Sequence, residues 1–211
     1  MKRAVQAFDG DLPTLQKHAQ ILFACRACPT VAGTPVSGVV PFARILLLGQ
    51  APGPREQEAN KPFAYTAGRR LFRWFEGIGF SEESFRSTVY IAAVIRCFPG
   101  RAQTGGDRVP SEEEIARCSL HLEREIRILN PGLIIAVGTL AAQQFLPSAP
   151  LAELVGRVHR VTRFDHTTDL IVLPHPSGRS TWTNRPQNRA LLEESLRLIA
   201  THPAATSLVQ R

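Results

Sequence analysis

At 211 residues the chain is long for one small domain and short for two, so a single compact domain over 1–211 is expected. Its 44% hydrophobic content supplies a sizeable core, yet no stretch approaches the ~20 apolar residues of a membrane span, which excludes a membrane protein from the reading. The formal charge of +7 fits a polyanionic partner such as nucleic acid or an acidic membrane surface, or simply a soluble basic protein, and the arginines are scattered, so a basic disordered tail is not its source.

Met1-Lys2-Arg3 is not followed by an apolar run, so a cytoplasmic, reducing location is expected. Leu12 to Ala24 reads as a helix with Leu15, Ile21 and Leu22 on one side, leading straight into Cys25-Arg26-Ala27-Cys28-Pro29. Ala43 to Leu48 is a short apolar run stopped by Gly49, which fits a buried central strand better than a helix. A loop rich in glycine and proline follows, Gly49 to Pro62. Gly68 to Ile78 reads as a helix through Leu71, Phe72, Phe75 and Ile78, and Val89 to Ile95 as a second buried strand. Ser111 with Glu114 three positions on forms a capping box, and Pro131 ends the helix that it opens near Leu129. Leu133 to Val137 is a third strand, with a helix from Thr139 to Phe145 behind it. Arg157 to Phe164 reads as an edge strand, Leu170 to Leu173 as the fourth parallel strand, and Pro186 to Ala200 as the last helix. The remainder, 201–211, reads as a disordered tail. Such alternation implies a parallel sheet with helices on both faces, binding its ligand where loops leave the C-terminal strand ends. Those loops begin at Gly49, Arg96 and Pro174.

The four cysteines are poor disulfide candidates in a reducing compartment. Cys25 and Cys28 form a C-x-x-C pair after a helix, Cys97 closes the second strand, and Cys118 lies inside the capped helix. Two ligands on a tight turn and two brought in by the fold make a thiolate set for zinc or an iron–sulfur cluster, and spacing does not choose between them. Four ordinary buried cysteines is the plainer alternative.

Gly49-Gln50-Ala51-Pro52-Gly53 is either a pocket wall with backbone groups facing a substrate or an ordinary turn. Phe63, in Lys61-Pro62-Phe63, either stacks on a planar base or packs in the core. His175, in His175-Pro176-Ser177-Gly178, either donates a hydrogen bond to developing negative charge or is structural. The polar segment Arg179-Ser180-Thr181-Trp182-Thr183-Asn184 suits phosphate contacts and insertion into a groove, or is a solvated loop.

Taken together, these segments resemble the uracil-DNA glycosylase superfamily. Gly49 to Gly53 looks like its first motif and His175-Pro176-Ser177 like its second. Lys61-Pro62-Phe63, Val89-Tyr90-Ile91, Ile95-Arg96-Cys97 and the stretch from Val109-Pro110-Ser111 to Ile134-Ile135-Ala136-Val137-Gly138 also match. The similarity runs from about Cys25 to about Leu196 and is nearest to the iron–sulfur families four and five. It implies a three-layer α/β/α sandwich with a central four-stranded parallel sheet. It also implies a structural [4Fe–4S] cluster on Cys25, Cys28, Cys97 and Cys118, and extrusion of a damaged nucleotide into a pocket. Phe63 would stack on the base, Gln50 and Ala51 would offer it backbone groups, and His175 would stabilise the departing base anion.

The sequence also departs from the family. Ala51 stands where several members hold the attacking water with Asp or Asn, and Gln50 replaces a family-four glutamate, leaving Glu56 as the nearby substitute. Ala93 matches a base-reading Asn of family four, and Thr66 an Asp of family five. No histidine lies in the loop Phe98 to Arg108, so the covalent trapping of a related branch is not expected. The expected activity is monofunctional hydrolysis of the N-glycosidic bond of uracil, and of other deaminated bases such as hypoxanthine or xanthine, in DNA. The catalytic residues would be His175, Gln50 and Glu56, and the base would meet Gln50, Ala51, Phe63, Ala93 and His175. DNA contacts would come from Lys61, Arg101, Arg108, Ser177, Gly178, Arg179 and Ser180. The partner is DNA, and the protein acts as a monomer. The alternatives are a catalytically weak binder of damaged or single-stranded DNA and a zinc-stapled nucleic-acid module.

Overall fold

The structure is a computed structural model that describes residues 12–103, 105–178 and 180–209. Its first helix, α1 (Leu12–Phe23), is followed by the strand β1 (Ile45–Gly49). Three helices, α2 (Pro54–Ala59), α3 (Thr66–Glu76) and α4 (Glu82–Thr88), lead to β2 (Val89–Ala93). The long helix α5 (Glu112–Leu129) precedes β3 (Leu133–Val137) and the short helices α6 (Thr139–Ala142) and α7 (Leu151–Leu154). Then come β4 (Val158–Arg163), β5 (His166–Leu173), a 3-10 turn at Trp182–Asn184, α8 (Pro186–Thr201) and α9 (Pro203–Val209). No helix among the described residues is long and apolar enough to cross a membrane.

The strands join in the order β2-β1-β3-β5-β4. The four expected strands β1, β2, β3 and β5 are parallel. The sheet nevertheless has five strands rather than four, because the edge strand β4 pairs antiparallel with β5, Val158 opposite Ile171 and Arg163 opposite His166. A short hairpin suffices for an antiparallel neighbour, whereas a parallel one needs a long crossover.

Strands β1, β2 and β3 are buried along their whole length, as a sheet covered on both faces requires. Alternate residues feed two cores. Leu46, Leu48, Tyr90, Ile134 and Leu170 face α1 and α5 through Leu15, Leu122 and Ile126. Ile45, Leu47, Ile91, Ile135 and Ile171 face α3, α4 and α8 through Phe72, Phe75, Phe85 and Leu196. These are the three layers of the expected sandwich. The capping box of α5 forms as read, Ser111 accepting from the Glu114 N–H at 3.3 Å and Glu114 accepting from the Ser111 N–H at 2.8 Å. Of the tail expected over 201–211, Thr201 ends α8 and Pro203–Val209 form α9, where Ala204 and Ala205 are buried beside Ile199; 210 and 211 lie outside the described residues.

Candidate active site

All three expected loops leave the sheet at its C-terminal edge and line one cavity of about 530 Å³. The chain from β1 goes to one side and the return from β2 crosses to the other, so the cavity sits where strand order reverses, the usual ligand crevice of such sheets. The first-motif turn is tied to the strand beside it. Val94 and Ile95 donate backbone hydrogen bonds to the carbonyls of Gly49 (2.9 Å) and Gln50 (3.2 Å), extending the β1–β2 ladder into the cavity wall.

Phe63 enters this wall in a left-handed backbone conformation, φ 52°. Non-glycine residues rarely adopt it, and it persists only where surroundings over-determine it. Here Arg86 donates to the carbonyls of Pro62 (2.9 Å) and Phe63 (3.0 Å) and is itself aligned by Glu82 at 2.7 Å. The ring lies so close to Gly49 that a Cβ there would sit 2.9 Å from Phe63 Cζ. A Cβ on Gly68 would fall 1.8 Å from the Phe63 carbonyl oxygen, a backbone atom that cannot swing away. Gly68→Ala is therefore expected to destabilise the fold by about 1–3 kcal/mol despite alanine's better helix propensity, and to raise KM by displacing Phe63. Thermal unfolding and steady-state kinetics check this.

His175 follows β5 and lines the same cavity. The Ser177 backbone N–H donates to its Nδ1 at 3.2 Å. An acceptor at Nδ1 assigns the proton of the neutral ring to Nε2. Burial pushes the imidazole pKa below its usual value, so the neutral tautomer prevails at physiological pH. The arrangement is a fixed N–H donor in a partly enclosed cavity.

Gln50, Ala51, Glu56, Ala93 and Thr66 all line the cavity, as do Arg101, Arg108 and Ser177. Lys61 does not; it is exposed and pairs with Glu82 at 3.7 Å. Arg108 is spent largely on structure, since its guanidinium donates to Glu114 at 2.7 and 2.8 Å and to the Pro99 carbonyl at 2.6 and 3.0 Å. These bonds hold the Glu114 carboxyl down to about 2. Ser177 accepts from Arg70 at 3.2 Å through its carbonyl, and the Ser180 N–H donates to that same carbonyl at 3.1 Å. Gly178 is exposed, with open space where a side chain would project. Arg179 lies outside the described residues. Trp182 is not a free wedge, because its ring packs against both cores and its carbonyl accepts from Asn188 at 2.9 Å.

Two residues the sequence reading passed over also line the cavity. Tyr65 is exposed at the mouth between Arg55 and Arg69, whose guanidinium carbons lie 5.7 and 5.3 Å from the ring centre. Asp107 reaches it from the loop after β2. The available signal for Asp107 was an acid beside Gly105-Gly106 in a loop leaving a C-terminal strand end.

The four cysteines line a second cavity of about 110 Å³ between α1, the end of β2 and α5. Cys118 is buried and the others half-buried. Burial, then the neighbouring thiols Cys118, Cys25 and Cys28, pushes the Cys97 thiol up to about 12; burial and Cys118 likewise raise Cys28. The sulfurs thus feel one another. No three His, Cys, Asp or Glu side chains among the described residues come together as a site for a single metal ion.

Beside the thiols lies a buried polar network. Arg96 is 1% exposed and pairs with the fully buried Glu125, which also accepts from the Tyr90 hydroxyl at 3.0 Å and meets His18 Nε2 at 3.5 Å. Burial opposes the Glu125 charge, but Arg96 and His18 outweigh it and hold its pKa low. Arg96 and His121 line the thiol cavity, and Arg96 Nε, Arg96 Nη1 and His121 Nδ1 are buried without a hydrogen-bond partner among the described residues. A negatively charged inorganic core among the sulfurs would supply their acceptors, so the residues fit a thiolate-bound cluster.

The fold is a doubly wound domain whose strand ends bring an aromatic wall, an imidazole donor and backbone turns around one cavity. The chain belongs to the uracil-DNA glycosylase superfamily, whose family model, "Uracil DNA glycosylase superfamily", matches residues 37–199. It is similar to the Type-4 uracil-DNA glycosylase of Archaeoglobus fulgidus, at 30% identity over 74% of this chain and 75% of that one. The enzyme of the same name from Pyrobaculum aerophilum is 32% identical over 68% and 67%, and that from Sulfurisphaera tokodaii 27% identical over 89% and 84%.

Proposed function

We propose that this chain hydrolyses the N-glycosidic bond of uracil in DNA, as a monofunctional glycosylase of base-excision repair. The observation that carries the reading is the convergence of Phe63, His175 and the first-motif turn on one cavity. The name shared by the relatives supports uracil as the base. The target nucleotide is extruded from the stack, which favours weakly paired bases. Phe63 covers the flat face of the base, and His175 Nε2–H donates to its oxygen as the C1′–N bond breaks and negative charge develops. No lysine among the described residues lines the cavity, which supports attack by water rather than by an amine. Ala93 offers no side-chain polar group to the base edge, which supports acceptance of hypoxanthine or xanthine as well. Arg101 and Lys61 at the surface meet phosphates.

Cys25, Cys28, Cys97 and Cys118 would hold a [4Fe–4S] cluster, which supplies stability to the fold when bound. The shared cavity and the orphaned donors of Arg96 and His121 favour it over zinc. The purified protein is expected to be brown, with absorbance near ~400 nm; a colourless, zinc-loaded protein would reverse that choice. Incubation with a uracil-containing oligonucleotide followed by alkali should cleave at the uracil. Tight binding without cleavage would instead make the chain a damage-binding protein.

A further inference from the structure

The loop between β2 and α5 folds back on itself. Ala102 donates its N–H to the Gly106 carbonyl at 3.0 Å, Arg108 donates to that of Gly100 at 2.9 Å, and Arg101 pairs with Asp107 as an antiparallel bridge. The hairpin delivers the Asp107 carboxylate to the cavity that His175 and Phe63 line. Glu56 comes to the same place from α2. A Cβ built on Gly53 would lie 2.8 Å from Glu56 Oε2 and 3.3 Å from Asp107 Oδ2, so the two oxygens converge on one point above the first-motif turn.

Each carboxylate is anchored through its other oxygen. Glu56 Oε1 accepts from the Tyr65 backbone N–H at 3.1 Å, and Asp107 Oδ1 faces Arg101 at 3.5 Å. The anchors leave Oε2 and Oδ2 turned toward the shared point. Two acceptors converging in this way match the two hydrogens of one water. Gln50 and Ala51, the other first-motif side chains lining the cavity, carry no carboxylate.

We propose that Asp107, paired with Glu56, holds and deprotonates the water that attacks the sugar. The inference rests on the reading of the cavity as a base-excision site. The C1′–N bond breaks with its electron pair leaving on the base, whose negative charge faces His175 Nε2–H. The water oxygen bonds to C1′, and its released proton goes to the Asp107–Glu56 pair. The products are the free base, once the anion is protonated from solvent, and an abasic sugar bearing a hydroxyl.

The test is single-turnover cleavage of uracil-containing single-stranded DNA by the cluster-loaded full chain and its variants. D107N is expected to slow the chemical step by about 10²–10⁴-fold, the range for a positioned general base. Affinity for DNA carrying a non-departing 2′-fluorinated uracil nucleotide should be retained. Formate should partly restore D107A by replacing the missing carboxylate. E56Q should be impaired, and the double variant should lose less than the product of the two single losses, as expected for groups acting as a unit. A parent enzyme that cleaves and a D107N variant that cleaves equally fast would overturn the assignment of Asp107. Slow cleavage by D107N together with no formate rescue of D107A would overturn it too. A parent chain that releases no uracil would overturn the proposed function itself.

Discussion

Replacing His175 with alanine is expected to slow base release by about 10²–10³-fold while leaving DNA affinity largely intact. The size follows from where the donor acts. In the proposed reaction its hydrogen bond to the base oxygen would be ordinary in the ground state and would strengthen only as the base becomes anionic, so its loss would fall on the transition state. The geometry makes the ring a neutral donor. Ser177 N–H occupies Nδ1, and burial keeps the pKa low, so activity due to His175 should not require acid. The same shift has a stability consequence. The folded state takes up this proton less readily than the unfolded chain, so stability is intact above the unfolded value of 6.5 and falls as pH drops below it. His175→Ala should weaken that part of the decline. Single-turnover rates and urea unfolding across pH check both claims; an alanine variant as fast as the parent would remove His175 from the chemistry.

The second large effect lies away from the pocket. Arg96→Met should destabilise the protein by about 3–5 kcal/mol, because it leaves the Glu125 carboxylate buried with only His18 and Tyr90 for company. The loss belongs to the orphaned charge rather than to the missing bond. Arg96→Met combined with Glu125→Leu should therefore recover much of it, a coupling that a double-mutant cycle reads directly. Urea midpoints are the measurement. Equal stability of parent and single variant would mean that water reaches Glu125 when Arg96 is gone. Arg96 also lines the thiol cavity, so the variant should lose its visible absorbance sooner on dilution into chelator.

Much of this architecture was legible because the parallel strands are buried on both faces. Unbroken apolar runs mark β1, β2 and β3, and the bounds of β3 agree residue for residue with the sequence reading. The capping box announced α5 through local chemistry alone. Elements without an apolar stripe stayed hidden. Helix α2 buries no side chain at all, and α4 buries only Phe85, so neither shows a helical period even though Gly53-Pro54 and Ser81 are sound helix starts. In the site, Gly49, Phe63 and His175 were readable because their neighbours form contiguous motifs. Asp107 was not, because nothing local says that its loop folds back across the cavity. Arg108 and Trp182 looked available for DNA because charge and aromaticity are visible in a sequence while their partners, Glu114 and the two cores, are not.

The constraint on Phe63 bears on how the enzyme would search a genome. A ring whose position is settled before any nucleotide arrives gives up almost no rotational freedom on contact, so little of the binding energy is diverted into ordering it. If Phe63 covers the base as proposed, a ring placed in advance would reject misfitting bases by shape at first touch, and each wrong encounter could end as quickly as it began.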